Sequence, residues 1–163
     1  LSTVQSIQNA SKSWIYGFEA GIEINFSERL KLRSQYNIIG GTEDDEGVEV
    51  PIRHVAPNFG RTHFTWKNEK LLFDAFMAYN SELSFNQLAP SEVSKDYLYA
   101  KDGNGNPYAP SWYTLNFRTQ YQWNDKITIT ASLENITDQR YRPYSSGIAA
   151  AGRNFILALK YAL

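Results

Sequence analysis

From Trp14 to Phe26 the chain alternates without a break. Trp14, Tyr16, Phe18, Ala20, Ile22, Ile24 and Phe26 fall on one side of an extended backbone; Ile15, Gly17, Glu19, Gly21, Glu23 and Asn25 fall on the other. A helix repeats every 3.6 residues and a strand every two, so a run of this length reads as a strand with one apolar face. The pattern then returns. Leu30, Leu32, Tyr36 and Ile38 oppose Lys31, Arg33, Gln35 and Asn37; Phe64 and Trp66 oppose Arg61, His63, Thr65 and Lys67. Leu71, Phe73, Ala75, Met77 and Tyr79 oppose Asp74, Ala78 and Asn80, with Leu72 and Phe76 blurring the polar side. Tyr113, Leu115, Phe117, Tyr121 and Trp123 oppose Thr114, Asn116, Arg118, Gln120 and Gln122. Ile127, Ile129, Ala131 and Leu133 oppose Thr128, Thr130, Ser132 and Glu134, and Phe155, Leu157, Leu159, Tyr161 and Leu163 form a last apolar face. The expectation is an all-β, up-and-down antiparallel meander of about seven strands.

The connections alternate too. Ser27-Glu28-Arg29, Asn68-Glu69-Lys70 and Asn124-Asp125-Lys126 are tight turns. Between them lie long polar segments: Gly40 to about Asn58, Ser81 to Ser111 with Pro90, Pro107 and Pro110, and about Thr137 to Ala151. Short turns on one rim and long loops on the other are the build of a transmembrane β-barrel, with the short side in the periplasm. Such a strand crosses the hydrocarbon in about 9–11 residues. Aromatic residues make up 15% of the chain, and they gather at strand ends. Phe26, Trp66, Phe73, Tyr121, Trp123 and Tyr161 fall near the short-turn rim; Trp14, Tyr16, Tyr36, Tyr79 and Tyr113 fall near the long-loop rim. Two girdles with Leu, Ile and Ala between them suit the two water–lipid boundaries. A soluble sandwich would place such rings mid-strand, in its core.

The remaining composition sets bounds. The negative mean hydropathy and the lack of any run of roughly 20 apolar residues exclude a helical membrane span, but not a barrel, whose outward and inward residues cancel in an average. A net charge of −1 gives no field to steer the chain to nucleic acid. There is no cysteine, hence no disulfide and no thiolate metal site. Leu1-Ser2-Thr3-Val4-Gln5 has neither the basic start nor the apolar stretch of a signal peptide. An open sheet of seven strands leaves two edges unpaired in lipid, where each unmet backbone group costs several kcal/mol. The chain is therefore expected to need either further strands upstream or an oligomer.

Particular motifs sharpen this. Tyr16-Gly17-Phe18-Glu19, Val55-Ala56-Pro57-Asn58, Asn135-Ile136-Thr137-Asp138 with Tyr141, and Gly152-Arg153-Asn154-Phe155 resemble strand and C-terminal signatures of TonB-dependent outer-membrane receptors. The final strand also resembles the signal read by the barrel-assembly machinery, with Leu163 where a terminal Phe is usual and Ala158 where a Gly is usual. The resemblance implies that residues 1–163 are the C-terminal part of a plugged barrel of 22 strands in the outer membrane of a Gram-negative bacterium, the plug domain and earlier strands lying outside them. It implies import of a scarce nutrient, with a siderophore-type iron chelate the leading cargo and cobalamin or glycans as others. It implies as partners the rest of the barrel, a plug domain, outer-membrane lipid, and TonB acting through an N-terminal region. Nucleic acid is not among them, and no cofactor is implied.

Loop aromatics and cations at the long-loop rim are the candidate ligand contacts: Tyr97, Tyr99, Tyr108, Trp112, Tyr141, Arg142, Tyr144 and Arg153. Rings stack on flat chelates, and guanidinium groups hold carboxylates bidentately. The bland alternative is ordinary loop packing. His54 and His63 lie nine residues apart with no ligating carboxylate at useful spacing, so they read as solvated or lumen-facing. Asp102, Asn104 and Asn106 mimic the start of a calcium loop, but Pro107 and Tyr113 stand where Gly and Glu are required. Glu43-Asp44-Asp45-Glu46 reads as a solvated loop tip. Glu19, Glu23, Lys31, Arg33, Asp74, Arg118, Glu134 and Lys160 face the lumen, to pair with one another and with a plug. No nucleophile–base–acid set or phosphate-cradling loop is present, so catalysis is not expected. Two other readings stay open: a small self-contained outer-membrane barrel of adhesin type, and a soluble β-sandwich binding module.

Overall fold

The computed structural model describes residues 12–162; the readings made on the first five residues and on Leu163 lie outside them. Ten strands are seen among these residues: β1 (Ser13–Asn25), β2 (Leu30–Asp45), β3 (Val48–Pro51), β4 (Phe59–Lys67), β5 (Leu71–Asn80), β6 (Ala100–Lys101), β7 (Pro107–Tyr108), β8 (Trp112–Gln122), β9 (Ile127–Glu134) and β10 (Asn154–Tyr161). Seven of them pair in the order β1-β2-β4-β5-β8-β9-β10, every pair antiparallel. This is the expected meander. It is not closed: β1 and β10 are its two edges.

The register keeps the two faces apart across every pair. On the apolar face Leu32, Phe64, Ala75, Phe117, Leu133 and Phe155 are successive cross-strand partners. On the polar face Lys31, Thr65, Asp74, Arg118 and Ser132 are. Burial is inverted relative to a soluble sheet. Phe18, Ile22, Phe117 and Leu159 are 65%, 56%, 39% and 72% exposed, whereas Asp74, Thr114, Asn116, Thr128 and Ser132 are buried. A dry core built on the apolar face, as the soluble sandwich demanded, is thereby excluded.

The girdles take physical form in the ring contacts. Toward the long-loop rim, Tyr36 and Tyr79 stack at 6.2 Å across Gly60, their common neighbour. A Cβ at Gly60 would lie 2.5 Å from the Gln35 carbonyl and 2.6 Å from the Tyr79 hydroxyl, so glycine is what lets the rings close over the sheet. Toward the short-turn rim, Trp66 stacks on Phe73 at 5.6 Å and Tyr121 meets Trp123 edge-on at 6.3 Å.

The three short turns share one device. Ser27 Oγ, Asn68 Oδ1 and Asn124 Oδ1 each accept the backbone N–H groups two and three residues on. A side-chain oxygen thus replaces a backbone turn acceptor. The third residue of each turn then offers its carbonyl to the next strand, Arg29 to Lys67, Lys70 to Gln122 and Lys126 to Ala162.

One expected loop is in part a hairpin. β2 runs past Ile38 to Asp45 and β3 returns along it, so Glu43 and Asp44 are ladder residues rather than a loose tip. Glu46 and Gly47 hold φ of 54° and 86°, both positive as a two-residue primed turn requires, and Asp44 Oδ1 accepts the Gly47 N–H at 2.7 Å. The next long connection carries structure as well: two 3₁₀ turns (Phe85–Gln87 and Asp96–Leu98), one helical turn α1 (Pro90–Val93), and the small β6–β7 ladder. Here lies the one apolar cluster among the described residues. Leu83, Leu88 and Ala109 are buried together, with Val93, Tyr99 and Tyr144 packed against them.

Candidate functional site

The long connections after β3, β5 and β9 meet above the sheet as a cap. Leu83 and Ala109 exchange both backbone hydrogen bonds at 2.9 Å and close the base of the 81–111 segment. Ser84 and Gln87 form a reciprocal capping box on the first 3₁₀ turn. Asp102 Oδ1 accepts the N–H groups of Asn104 and Asn106, both at 2.8 Å, which holds its carboxyl below the usual range. The carboxylate of the would-be calcium loop is spent on its own turn.

Pro90 opens α1, where its missing N–H costs nothing, and the single helical turn carries Glu92 inward. Glu92 is fully buried. Its Oε1 accepts from Arg53 Nε at 2.9 Å and lies 3.5 Å from Lys95 Nζ. Its Oε2 accepts the Tyr99 hydroxyl at 2.6 Å and the Ser145 hydroxyl at 3.1 Å. Burial alone would raise its pKa. The hydrogen bonds from Tyr99, Ser145 and Arg53 and the charge of Lys95 outweigh that and hold it at about 2. Burial, and then the bond to Glu92, push the Tyr99 phenol up; burial, and then the Glu92 charge, push up Tyr144.

A second anchor sits where β9 ends. Asn135 has φ 48° and is buried. Its Nδ2 donates to the carbonyls of Gln139 and Ala151 at 2.9 and 3.1 Å, and its Oδ1 accepts the Gln139 N–H at 2.8 Å. Its own N–H goes to Asn116 Oδ1 at 2.9 Å. Asp138 Oδ1 accepts the Arg153 N–H at 2.8 Å, and Arg153 Nε donates to the Ile136 carbonyl at 3.0 Å. The two ends of the 135–153 connection are thereby tied together. The Asn135–Asp138 and Gly152–Phe155 motifs meet as one structural knot.

Between the second and third cap connections lies a cleft of about 300 Å³. Tyr99, Trp112, Tyr141, Arg142 and Tyr144 line it, with Leu98, Gln139, Arg140 and Ser145. Trp112 and Tyr141 stack at 4.1 Å, and Tyr99 meets Tyr144 at 6.2 Å. Arg142 Nη1 donates to the Leu98 carbonyl at 3.4 Å. An aromatic-walled cleft with a guanidinium group at its edge holds flat, electron-rich or anionic molecules by stacking and charge-assisted hydrogen bonds.

Five of the eight candidate ligand contacts are thus brought together. Tyr97 is 73% exposed and is not part of the cleft lining. Tyr108 pairs with Ala100 in the β6–β7 ladder, and Arg153 is engaged in the knot. Sequence reading missed Glu92, whose signal was only Pro90 two residues earlier. It also missed the partner of His63. Asp74, remote in sequence spacing, approaches Nδ1 at 3.1 Å across the β4–β5 pair and accepts from Thr65 Oγ1 at 3.2 Å. Phe76 stacks on His63 at 4.9 Å and lies under Arg118 at 5.5 Å, so the ring that blurred the polar face belongs to a polar network. Of the lumen charges, Lys31 pairs with Glu23 at 3.0 Å. Among the described residues no three His, Cys, Asp or Glu side chains gather as a metal site.

The sheet and cap resemble known proteins. The family model for the TonB dependent receptor-like β-barrel matches residues 1–136, ending inside the Asn135–Asp138 motif. The copper transporter OprC superposes with a TM-score of 0.73 at 14% identity, over 91% of this chain and 23% of that one. The siderophore receptor PiuA from Acinetobacter baumannii gives 0.60 at 18% identity, over 91% and 22%. The ferripyoverdine receptor of the outer membrane of Pseudomonas aeruginosa gives 0.61 at 13%, over 91% and 19%. At these identities the likeness is one of fold, and the chain spans roughly a fifth of the length of each structure. No curated protein matches the chain. With residues 1–136 of 163 under the family model, and with a meander whose apolar side is left exposed among the described residues, this chain belongs to the TonB-dependent receptor β-barrel family.

Proposed function

We propose that residues 1–163 form the C-terminal part of an outer-membrane barrel that imports a siderophore-type iron chelate, with the cap cleft as part of its outer binding surface. The family is one of receptors and transporters rather than enzymes. Two structures of like fold are a siderophore receptor and a receptor bound to ferripyoverdine. In this reading the apolar face meets outer-membrane lipid, the long-loop rim faces outward, and the short turns face the periplasm. β1 and β10 pair with strands of the same parent barrel. A plug domain meets the polar wall, and TonB acts on the parent through its N-terminal region.

The observation that carries the cargo class is the cleft: two ring pairs, Trp112–Tyr141 and Tyr99–Tyr144, beside Arg142. Flat iron-binding groups such as catecholates or hydroxyquinolines stack on such walls, and their net negative charge suits a guanidinium group. A bare copper ion fits the cleft less well, because the lining residues offer no imidazole, thiolate or carboxylate.

The test uses the whole receptor that contains this chain, in isolated outer membranes. Binding of radio-iron complexes of catecholate, hydroxamate and hydroxycarboxylate chelators is measured with the native sequence and with Trp112→Ala, Tyr141→Ala and Arg142→Ala. At least a tenfold loss for one chelate class in all three variants is expected. Unchanged affinity across the set, for every class, overturns the assignment of the cleft.

A further inference from the structure

The carboxylate that organises the cap has no place in a stacking or charge-pairing account of the cleft. Glu92 is fully exposed to protein and not at all to solvent. Its four polar partners come from three separate connections: Arg53 from the one after β3, Lys95 and Tyr99 from the one after β5, and Ser145 from the one after β9. Two of those partners, Tyr99 and Ser145, line the cleft; Arg53 does not. A buried carboxylate persists only when donors replace its hydration, and here each connection supplies at least one.

We propose that Glu92 is the positioning residue of the cap cleft: its buried carboxylate clasps three connections into one unit and sets the aromatic wall before any ligand arrives. The inference rests on the reading of the cleft as a binding site, and it adds what that reading lacks. Stacking surfaces are effective when their rings are already fixed, since ordering loops at the moment of binding subtracts from affinity. Oε2 fixes Tyr99, and Tyr99 packs against Tyr144. Oε1 fixes Arg53, so the connection after β3 is bound to a site it does not line. Loss of the carboxylate therefore loosens a segment 39 residues away in sequence.

Hydrogen exchange followed by mass spectrometry on the detergent-purified receptor tests this without a ligand. In Glu92→Gln, exchange is expected to rise together in peptides covering 52–58, 88–101 and 139–150, while β4, β5 and β8 stay as protected as in the native protein. Tyr99→Phe, which keeps the ring, should loosen 139–150 less than Glu92→Gln does. A rise confined to 88–101, with the other two connections unchanged, overturns the clasp. As a second readout, ferric tris-catecholate should bind Glu92→Gln at least tenfold more weakly, mainly through faster dissociation. Should the native receptor bind no ferric catecholate, hydroxamate or hydroxycarboxylate, the cargo reading falls, and the exchange pattern alone still decides for or against the clasp.

Discussion

In β8 the buried side chains are Thr114 and Asn116, and the apolar neighbours that alternate with them, Tyr113, Leu115 and Phe117, are exposed. A few residues upstream, in the cap, Leu83, Leu88, Ala89 and Ala109 are the buried ones. The same chain thus follows two opposite rules of burial within one connected segment. The cap obeys the ordinary rule of a water-facing surface: apolar area is removed from solvent, and the polar group left inside, Glu92, is fully paired. The wall inverts the rule, as a barrel wall does whose apolar side meets hydrocarbon in the reading proposed above, and its polar side holds Asp74, His63, Thr65 and Arg118 in a hydrogen-bonded and stacked network. Membership of a β-barrel family explains the wall; the cap packs by the ordinary rule on the connections of that wall.

The widest separation between the two rules is expected from a matched pair of substitutions. Leu88→Ala removes a buried cap side chain and should destabilise the cap by about 2–5 kcal/mol, with the wall unaffected. Phe117→Arg changes a residue that is 39% exposed, a change that a water-facing surface would absorb with little cost. Placed near the bilayer midplane it should instead cost about 2–4 kcal/mol. Reversible folding of the receptor into lipid vesicles, monitored by urea titration, reads both. A Phe117→Arg variant as stable as the native chain in vesicles would break the contrast at its root.

Acid separates the regions by a different route. The folded pKa of Glu92 is about 2, below its unfolded value of 4.5. The unfolded state therefore binds more protons between these values, so this contribution to cap stability is complete above the unfolded pKa and disappears as pH falls through the folded one. Its size at neutral pH is on the order of 3 kcal/mol. Near-ultraviolet circular dichroism of the cap aromatics should hold steady down to about pH 4.5 and fade toward pH 2. Glu92→Gln should remove that transition while leaving the strand signal in the far ultraviolet unchanged. An acid transition of the same midpoint in Glu92→Gln would assign it to other carboxylates.

What was legible in the sequence divides along the same line. The wall is a period-two pattern, and period two is local. Seven strands, their faces and three tight turns were readable because each residue's role depends on its neighbours two away. The cap depends on contacts that no spacing announces. Arg53, Glu92 and Ser145 are brought together by tertiary folding, as are His63 and Asp74 across a strand pair. The candidate ligand set was chosen on residue type and rim position, which is why it included Tyr97 and Arg153, whose surroundings differ from those of Trp112 and Tyr141. The β2–β3 hairpin was overlooked for another reason. Its primed turn holds Glu46 at positive φ, where Asn, Asp or Gly is the usual signal, and it follows an unbroken acidic run.

The smallest expected effect compares one residue type in the two regions. Asn124 closes a turn of the wall by accepting two backbone N–H groups at 3.0 and 2.9 Å in an exposed setting. Water replaces those bonds readily, so Asn124→Ala should cost only about 0.5–1.5 kcal/mol. Asn135, at the foot of the cap, is 4% exposed, and its amide serves Gln139 and Ala151 at positive φ. Replacing it takes the partner from the Gln139 and Ala151 carbonyls and the Gln139 N–H in part-buried bonds, and forces alanine into a left-handed conformation, so Asn135→Ala should cost severalfold more. Urea titration of both variants in vesicles gives the ratio. Near-equal costs would mean that the knot at the end of β9 is as open to water as the turns on the opposite rim, and that the boundary between wall and cap lies above Asn135 rather than at it.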